Sequence, residues 1–594
     1  MRYTREGETH DVFANAPAPH PSSEPSQLMS MHTSMSGDRP TGRIYGTRSP
    51  VLGRNGVIAT SQPLASAAGL KVLQDGGNAI DAAVTAAAVL AVVEPTMTGV
   101  GGDLFALVFD GRTRTLKGLN SSGRAGSAAD PDALLADGCS EMPTHGVQSV
   151  SIPGSVAGWL ELLDSHGTVP VARALEPAIR YARDGFPVSE IVAAQWSAVA
   201  SRLASDSDAA RVLLPGGHAP AAGELFRNAD LAVTLEQIAA DGASVIYGGP
   251  VGKAIAEYLT TRGGYLTQAD FAAHQTDWVE PLSTTYRGYT VCELPPNTQG
   301  FVALEMLNIL EGYDVRAMGH NTAEYLHVYS EAKRIAFADR AAYLADPDYV
   351  PAELLALLVS KSYAGERRTE IDLRRAVERY EPAAPAGLSY VGRGPLSRVT
   401  GRSRPADTGA DRRGDTVYLA AADRFGNVVS LINSLFDSFG SGVVVPGTGI
   451  VLHSRGSAFT LQAGHPNRLV PGKRPSHTLV PALLMREGQP LMAFGVMGAD
   501  NQAQAHAQVV ANVVDFDMNV QEAGEVPRVR HFDDGLAVES GIPEAVCAAL
   551  RTRGHVLHDG RGLMGGYQAV RIDPDTGVLQ GGSDPRKDGM AAGW

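Results

Sequence analysis

Cysteine is scarce in this chain. Three occur among 594 residues, Cys139, Cys292 and Cys547, each more than a hundred positions from the next. They form no CxxC pair, zinc knuckle or disulfide ladder, and such usage suits a reducing compartment, so a cytoplasmic location is expected. Clustered Lys and Arg are missing as well. With 50 basic against 64 acidic side chains the net charge is −14, which opposes attachment to nucleic acid or to anionic lipid. The longest apolar run, Ala79 to Val93, has 15 residues and contains Asp81 and Thr85, too short and too polar to span a bilayer. It reads as a buried helix. Residues 1–40 lack the basic head and apolar stretch of a secretory signal and are rich in Pro, Ser and His. A disordered tail is expected over 1–49, with Met29, Met31 or Met35 as alternative starts.

Common cofactor signatures fail on inspection. Gly252-Lys253 is followed by Ala254 and has no glycine at the required spacing before it, so it is a helix entry and not a phosphate loop. Gly99-Val-Gly-Gly102 lacks the third spaced glycine of a dinucleotide fingerprint, and neither GxSxG nor HExxH occurs. The 16 histidines are scattered singly. No cofactor and no metal are expected.

What is present is a texture of short helices and strands. Gly56 to Ser61 reads as a buried strand, and Ala65 to Leu73 as a helix stopped by Gly76-Gly77. Asn78 then caps the apolar helix, and Leu104 to Phe109 is a further strand. From about 150 to 380 the periodicity is mostly helical, as in Ala323 to Leu344. Residues 381–413 turn to Pro, Gly, Arg and Ser, the composition of a mobile connector. Val417–Ala422 and Val428–Ile432 then form a hairpin about Asp423-Arg-Phe-Gly-Asn427, where Gly426 and Asn427 suit positive φ. Strands are also expected at Val443–Val445, Leu483–Met485, Leu491–Gly495 and Ala569–Ile572, and a helix from Gln502 to Asp515.

Thr416 begins the hairpin where the connector ends. A threonine there is an ordinary strand former on propensity. It becomes a nucleophile if the chain is cut before it. The freed α-amino group, with a pKa of about 7.7–8.0, then lies beside its own hydroxyl as a base.

Several segments in order favour the second reading. They are Ala59-Thr-Ser61 with Pro63-Leu-Ala-Ser66, Gly76-Gly-Asn-Ala-Ile-Asp-Ala-Ala83, Gly99-Val-Gly-Gly102, Pro153-Gly154, Asp415-Thr416 with Asp423 and Gly426-Asn427, Phe439-Gly-Ser-Gly442, Lys473-Arg-Pro475 and Ser583-Asp-Pro-Arg586. Over residues 50 to 594 the chain resembles the γ-glutamyltransferase (γ-glutamyl transpeptidase) family of N-terminal nucleophile hydrolases. The resemblance implies an α+β fold, a four-layered αββα sandwich built from both products of self-cleavage between Asp415 and Thr416. The large subunit would be 50–415 behind the tail, and the small subunit 416–594. It further implies a small-molecule substrate, paired subunits that can dimerise again, and neither nucleic acid nor membrane as partner.

By the same resemblance Ser434 is the second hydroxyl that bonds the nucleophile, and Gly498 and Ala499 supply the oxyanion amides. The positions that hold the amino-acid end of a γ-glutamyl group depart from the family pattern. They read Phe436, Arg455 with Ala458, and His477 with Thr478, while the carboxylate-binding arginine falls on or near Ser122, with Arg124 two residues on. With the acidic anchor gone, the expected substrate is the amide of a small acyl group that bears a carboxylate and lacks a free α-amino group. Arg455, with His477 or Arg124, would bind that carboxylate. The alternative for Arg455 is a surface or interchain salt bridge. Only Arg468 to Gly472 lie between Asn467 and Lys473, so an open entrance is expected. Competing readings are a C–C bond hydrolase of antibiotic biosynthesis, a true γ-glutamyl transferase or hydrolase, and an uncleaved binding scaffold.

Overall fold

The computed structural model describes residues 48–383 and 415–594. Most of the expected tail and of the connector at 381–413 therefore lies outside the described residues. Strands before residue 384 include β1 (Val51–Gly53), β2 (Gly56–Thr60), β3 (Asp103–Asp110), β4 (Thr115–Ser121), β5 (Asp277–Val279), β6 (Leu282–Tyr286) and β7 (Tyr289–Glu293). Those after residue 414 include β8 (Asp415–Asp423), β9 (Val428–Phe436), β10 (Ala482–Arg486), β11 (Gln489–Val496), β12 (Tyr567–Ile572), β13 (Leu579–Ser583) and β14 (Met590–Gly593). They form two seven-stranded sheets, ordered β1-β13-β12-β11-β10-β7-β6 and β14-β2-β8-β9-β3-β4-β5, with every pairing antiparallel. Each sheet takes strands from both sides of residue 415, so neither part of the chain can complete a sheet alone.

Alternation along the strands sorts the core. Phe105 and Leu107 of β3 with Tyr418 and Ala420 of β8 share one cluster with Leu483, Ala493 and Val570 of the other sheet. Their neighbours of opposite parity, Ala106, Val108, Leu419 and Ala421, join helices α1 (Pro63–Gln74), α2 (Ala79–Val93) and α3 (Ser155–His166) instead. On the second sheet, Leu484, Met492, Phe494 and Ala569 pack with α4 (Gly300–Leu310), α5 (Ala323–Tyr343) and α6 (Asn501–Val514). A period of two with both faces apolar is what a strand covered on each side requires.

Helix α2 keeps the bounds its sequence suggests, and all 15 residues are buried. Asn78 and Asp81 form a capping box at its start. Asp423, in the β8–β9 turn, accepts from Ala79 N at 2.8 Å and so ties that turn to the helix. The Ser583-Asp-Pro-Arg586 motif forms a buried ion network, in which Arg528 reaches Asp584 at 2.7 Å and Arg586 reaches Glu539 at 2.6 Å.

Three local expectations are corrected. Val443–Val445 is not a strand and contributes only the isolated bridge Val444–Val451. In the Asp423–Asn427 turn, Gly426 alone has positive φ, 83°, because Asn427 is held by its side chain on Asp423 Oδ2 and Gly111 N. The helix-rich stretch also contains β5, β6 and β7, which helical periodicity did not reveal.

Candidate active site

Thr416 sits at an irregularity in the β8–β9 ladder. Asp415 pairs with Phe436 and Val417 with Asn433, so Thr416 alone faces Ser434 and Leu435. Its Oγ1 donates to Ser434 Oγ at 3.1 Å, and both side chains are buried. Ser434 Oγ also accepts the Phe436 amide at 2.8 Å. The preceding Asn433 is fixed by Trp159 Nε1, Ser155 Oγ and the Asp103 carbonyl. Ser434 itself pairs with Asp103 on β3.

Phe436 adopts φ 79°, and the Arg455 guanidinium lies 4.1 Å from its ring centre. Arg455 is 1% exposed and donates through Nη1 to Thr478 Oγ1 at 3.3 Å. Its Nε and Nη2 are buried without a hydrogen-bond partner. Burial lowers its pKa to about 9, with Asp103 and Asp500 opposing, so it remains cationic near neutrality. No carboxylate lies within salt-bridge distance of it among the described residues. The expected alternative, a surface or interchain salt bridge, is therefore not what the fold contains.

His477 is buried and donates through Nε2 to Asp103 Oδ2 at 2.9 Å, which leaves Nδ1 as an unpartnered acceptor. Burial and the nearby Arg455 charge push its pKa down to about 3. A neutral imidazole with a free lone pair does not hold a carboxylate, which corrects the role expected for His477. Burial would raise the Asp103 carboxyl, but the His453 and His477 rings and Arg455 outweigh it and hold it at about 2. His453 Nδ1 accepts the Arg455 amide while its Nε2 faces the Ser151 carbonyl, fixing its tautomer.

Gly498 (φ 119°) and Ala499 (φ 51°) make the turn before α6. Gln299 Nε2 bridges the Ala499 and Thr478 carbonyls at 3.2 and 2.8 Å, tying that turn to the segment beside Arg455. A line of contacts thus runs from Thr416 through Ser434, Phe436, Arg455 and Thr478 to Ala499.

Arg124 and Ser122 stand apart from this line. Arg124 is half-exposed and turns to Asp346 and the Gly472 carbonyl, so it is not a free carboxylate ligand. Ser122 Oγ is engaged by Asn120 and Asn297. Thr416 is 2% exposed in the uncut chain. The segment after Asn467 folds back on itself, with Thr460 bridged to Arg468 and the Lys473 ammonium on the Pro466 and Arg468 carbonyls. Asp103, His453 and Gln299 carry no motif signal of their own, although Asp103 directly follows the Gly99-Val-Gly-Gly102 turn.

One group of metal-ligating type occurs among the described residues, His327, Glu331 and His555, with ligand atoms within 4.8 Å of one another. It is already saturated internally. The two rings bond at 2.7 Å, His327 Nε2 faces the Asp372 carbonyl, and Glu331 serves Arg334, Val377 N and Tyr380.

Residues 65–594 match the gamma-glutamyltranspeptidase family. The chain is 39% identical to the glutathione hydrolase-like YwrD proenzyme of Bacillus subtilis, over 91% of this chain and 99% of that one. It is 36% identical to the acylase ACY 1 proenzyme of a Pseudomonas strain, over 91% and 94%. The crystal structure of cephalosporin acylase from Bacillus halodurans superposes with a TM-score of 0.85 at 41% identity, covering 93% of this chain and 98% of that one. No helix among the described residues is long and apolar enough to cross a membrane. With an α+β fold and a match across nearly its whole described length, this chain belongs to the gamma-glutamyltranspeptidase family and is an enzyme of the N-terminal nucleophile hydrolase kind, made as a proenzyme.

Proposed function

We propose that the chain cleaves itself between Asp415 and Thr416 and then hydrolyses the amide of an acyl group that ends in a carboxylate. Thr416 Oγ1 attacks the Asp415 carbonyl carbon, the C–N bond breaks, and the hydroxyl proton passes to the departing nitrogen. Water then opens the resulting ester to release the Asp415 acid and a free Thr416 amine. In turnover that amine takes the proton from Oγ1, which attacks the substrate carbonyl; the amide C–N bond breaks as the proton passes to the departing amine, and water then opens the acyl ester to release the acid and restore Oγ1–H. Ser434 Oγ holds Oγ1 in place, and the Gly498 and Ala499 amides receive the developing negative charge. An N–H serves there from alanine as well as from glycine.

The observation that carries the substrate class is Arg455, a buried cation with its Nε and Nη2 unmet and, among the described residues, no carboxylate within salt-bridge distance. A guanidinium so placed matches a carboxylate, which completes its hydrogen bonds and compensates its charge. The acidic partner that an α-ammonium group would need is replaced by Ala458 at the matching position. Kinship with acylases agrees with this reading. The name of the Bacillus subtilis relative favours a second one, γ-glutamyl hydrolysis. Comparing kcat/KM for glutaryl-p-nitroanilide and γ-glutamyl-p-nitroanilide separates them, since they differ only in the α-amino group. Preference for the glutaryl compound is expected, and preference for the γ-glutamyl compound would reverse the assignment.

We further read the three core clusters as the seams of four layers, α, β, β and α, shared by subunits of 415 and 179 residues. The interleaving of strands from both sides of residue 415 supports subunits that stay together after cleavage. The three free cysteines support a reducing, cytoplasmic setting.

A further inference from the structure

Lys333 is the buried cation that the proposed mechanism leaves unused. It lies on α5 and is 3% exposed. Among the described residues its ammonium makes no hydrogen bond and no ion pair, and its nearest recorded partner is the Phe337 ring, whose centre is 3.9 Å away. Phe337 and Arg340 follow at i+4 and i+7 and so share its helix face. The Arg340 guanidinium is 5.1 Å from the same ring centre, and its Nη2 reaches Asp500 Oδ1 at 2.5 Å. Arg530, on the neighbouring segment, bonds the Leu563 carbonyl at 2.8 Å. Among the described residues the acids nearest Lys333 are Asp500, half-exposed and bonded to Arg340, and Asp533, exposed, and neither forms an ion pair with the Lys333 ammonium. Burial lowers the Lys333 pKa to about 7, as expected for an ammonium with no acceptor.

Position gives the cluster a meaning. Asp500 directly follows Gly498 and Ala499, the turn at which the scissile carbonyl is placed above. It lies within electrostatic reach of Arg455 as well as of Lys333, Arg340 and Arg530. Two separate cationic groups therefore share that turn. If the acyl carboxylate takes Arg455, the other cluster is left for the opposite end of the substrate.

We propose that Lys333, with Arg340 and Arg530, forms a second anion subsite, which takes a carboxylate carried by the amine half of the scissile amide. The inference rests on the amidohydrolase reading. It makes the preferred substrate an amide between two acid-bearing halves, an N-acylated amino acid or a related amino carboxylic acid.

The test compares two glutaryl amides with leaving groups of similar size, p-nitroaniline and 4-aminobenzoate, in the wild type and in Lys333→Met, which keeps the aliphatic stem. The ratio of kcat/KM for the 4-aminobenzoate amide to that for the p-nitroanilide should fall about tenfold in Lys333→Met, through KM, and recover in Lys333→Arg. An unchanged ratio would overturn the subsite. Calorimetric titration of the cleaved enzyme with free 4-aminobenzoate and with aniline needs no turnover, so it tests the subsite even if the glutaryl amides prove poor substrates. Tighter binding of 4-aminobenzoate, lost in Lys333→Met, supports the inference, and equal affinities refute it. Failure of both amides to turn over alongside selective 4-aminobenzoate binding would instead count against the acyl half of the reading.

Discussion

Arg455 lies 4.1 Å from the ring centre of Phe436, so two residues that depart from the γ-glutamyl pattern are in contact with each other. They are more than a dozen positions apart in sequence, and each is unremarkable alone. Together they make a stacked, buried guanidinium with its remaining donors uncommitted. That pairing leads directly to tests at the nucleophile, at the cation and in the fold around them.

Replacement of Thr416 by Ala should leave one chain of about the full 62.3 kDa and abolish turnover. Thr416→Ser, which keeps a hydroxyl, should yield two bands and retain activity. Denaturing electrophoresis with N-terminal sequencing of the smaller band reads both. Two bands from Thr416→Ala would remove this residue from the mechanism.

For Arg455→Met, loss of a charge-assisted pair with substrate predicts a decrease in kcat/KM for glutaryl-p-nitroanilide of about 10- to 200-fold, on a loss of ~1.5–3 kcal/mol. The fold should tolerate the change, because Arg455 forms no salt bridge among the described residues and the Asp103 carboxylate, which it helps to hold ionised, keeps its hydrogen bond from His477. Arg455→Lys should rescue poorly, since a point charge does not reproduce the planar fork. Steady-state kinetics beside thermal melts tell the two effects apart.

Ser434→Ala removes the acceptor for Thr416 Oγ1. One hydrogen bond of ~1–1.5 kcal/mol predicts self-cleavage and kcat slower by about 5- to 15-fold, with KM nearly unchanged. Cleavage time courses of freshly made precursor supply the measurement.

Acid should destabilise the protein through His477. Its folded pKa, about 3, lies below the ordinary histidine value of about 6.5, so between these limits the unfolded chain binds a proton that the folded chain does not. Stability is therefore present above pH ~6.5 and declines as pH falls through 3, by about 5 kcal/mol in all. Urea midpoints between pH 7 and 4.5 should slope accordingly, and His477→Gln should flatten that slope. Asp103, held at about 2, adds a further loss only below pH ~3.9.

In the turn at Asp423, substitution by Ala removes acceptors for Ala79 N, Phe425 N and both nitrogens of Asn427. A destabilisation of ~2–3 kcal/mol is expected, with the nucleophile chemically intact. Chemical denaturation of the processed enzyme provides the check.

Local signals carried much of this architecture. The helix Ala79–Val93, its Asn78 cap and the β8–β9 hairpin were legible because each depends on neighbours within a few residues. Period-two alternation also survives in β3, β8 and β9, whose faces enter different cores. The short strands β5, β6 and β7 were hidden because three to five residues give too few repeats to break a surrounding helical rhythm. Of the site residues, Thr416, Ser434 and the Gly498–Ala499 turn came from motif order, whereas Asp103 and His453 carried no signal beyond adjacency to glycines.

The sequence by itself determined the family and the order of its motif residues, Thr416, Ser434 and Arg455 among them, since these are statements about residue identity in order. Only the tertiary structure decided that Arg455 is buried and unpaired, that Arg124 belongs to Asp346, and that His477 presents a lone pair and no charge. Those properties depend on which groups lie within a few ångströms and on how much water is excluded between them. Both are fixed by strands and loops that converge from distant parts of the chain.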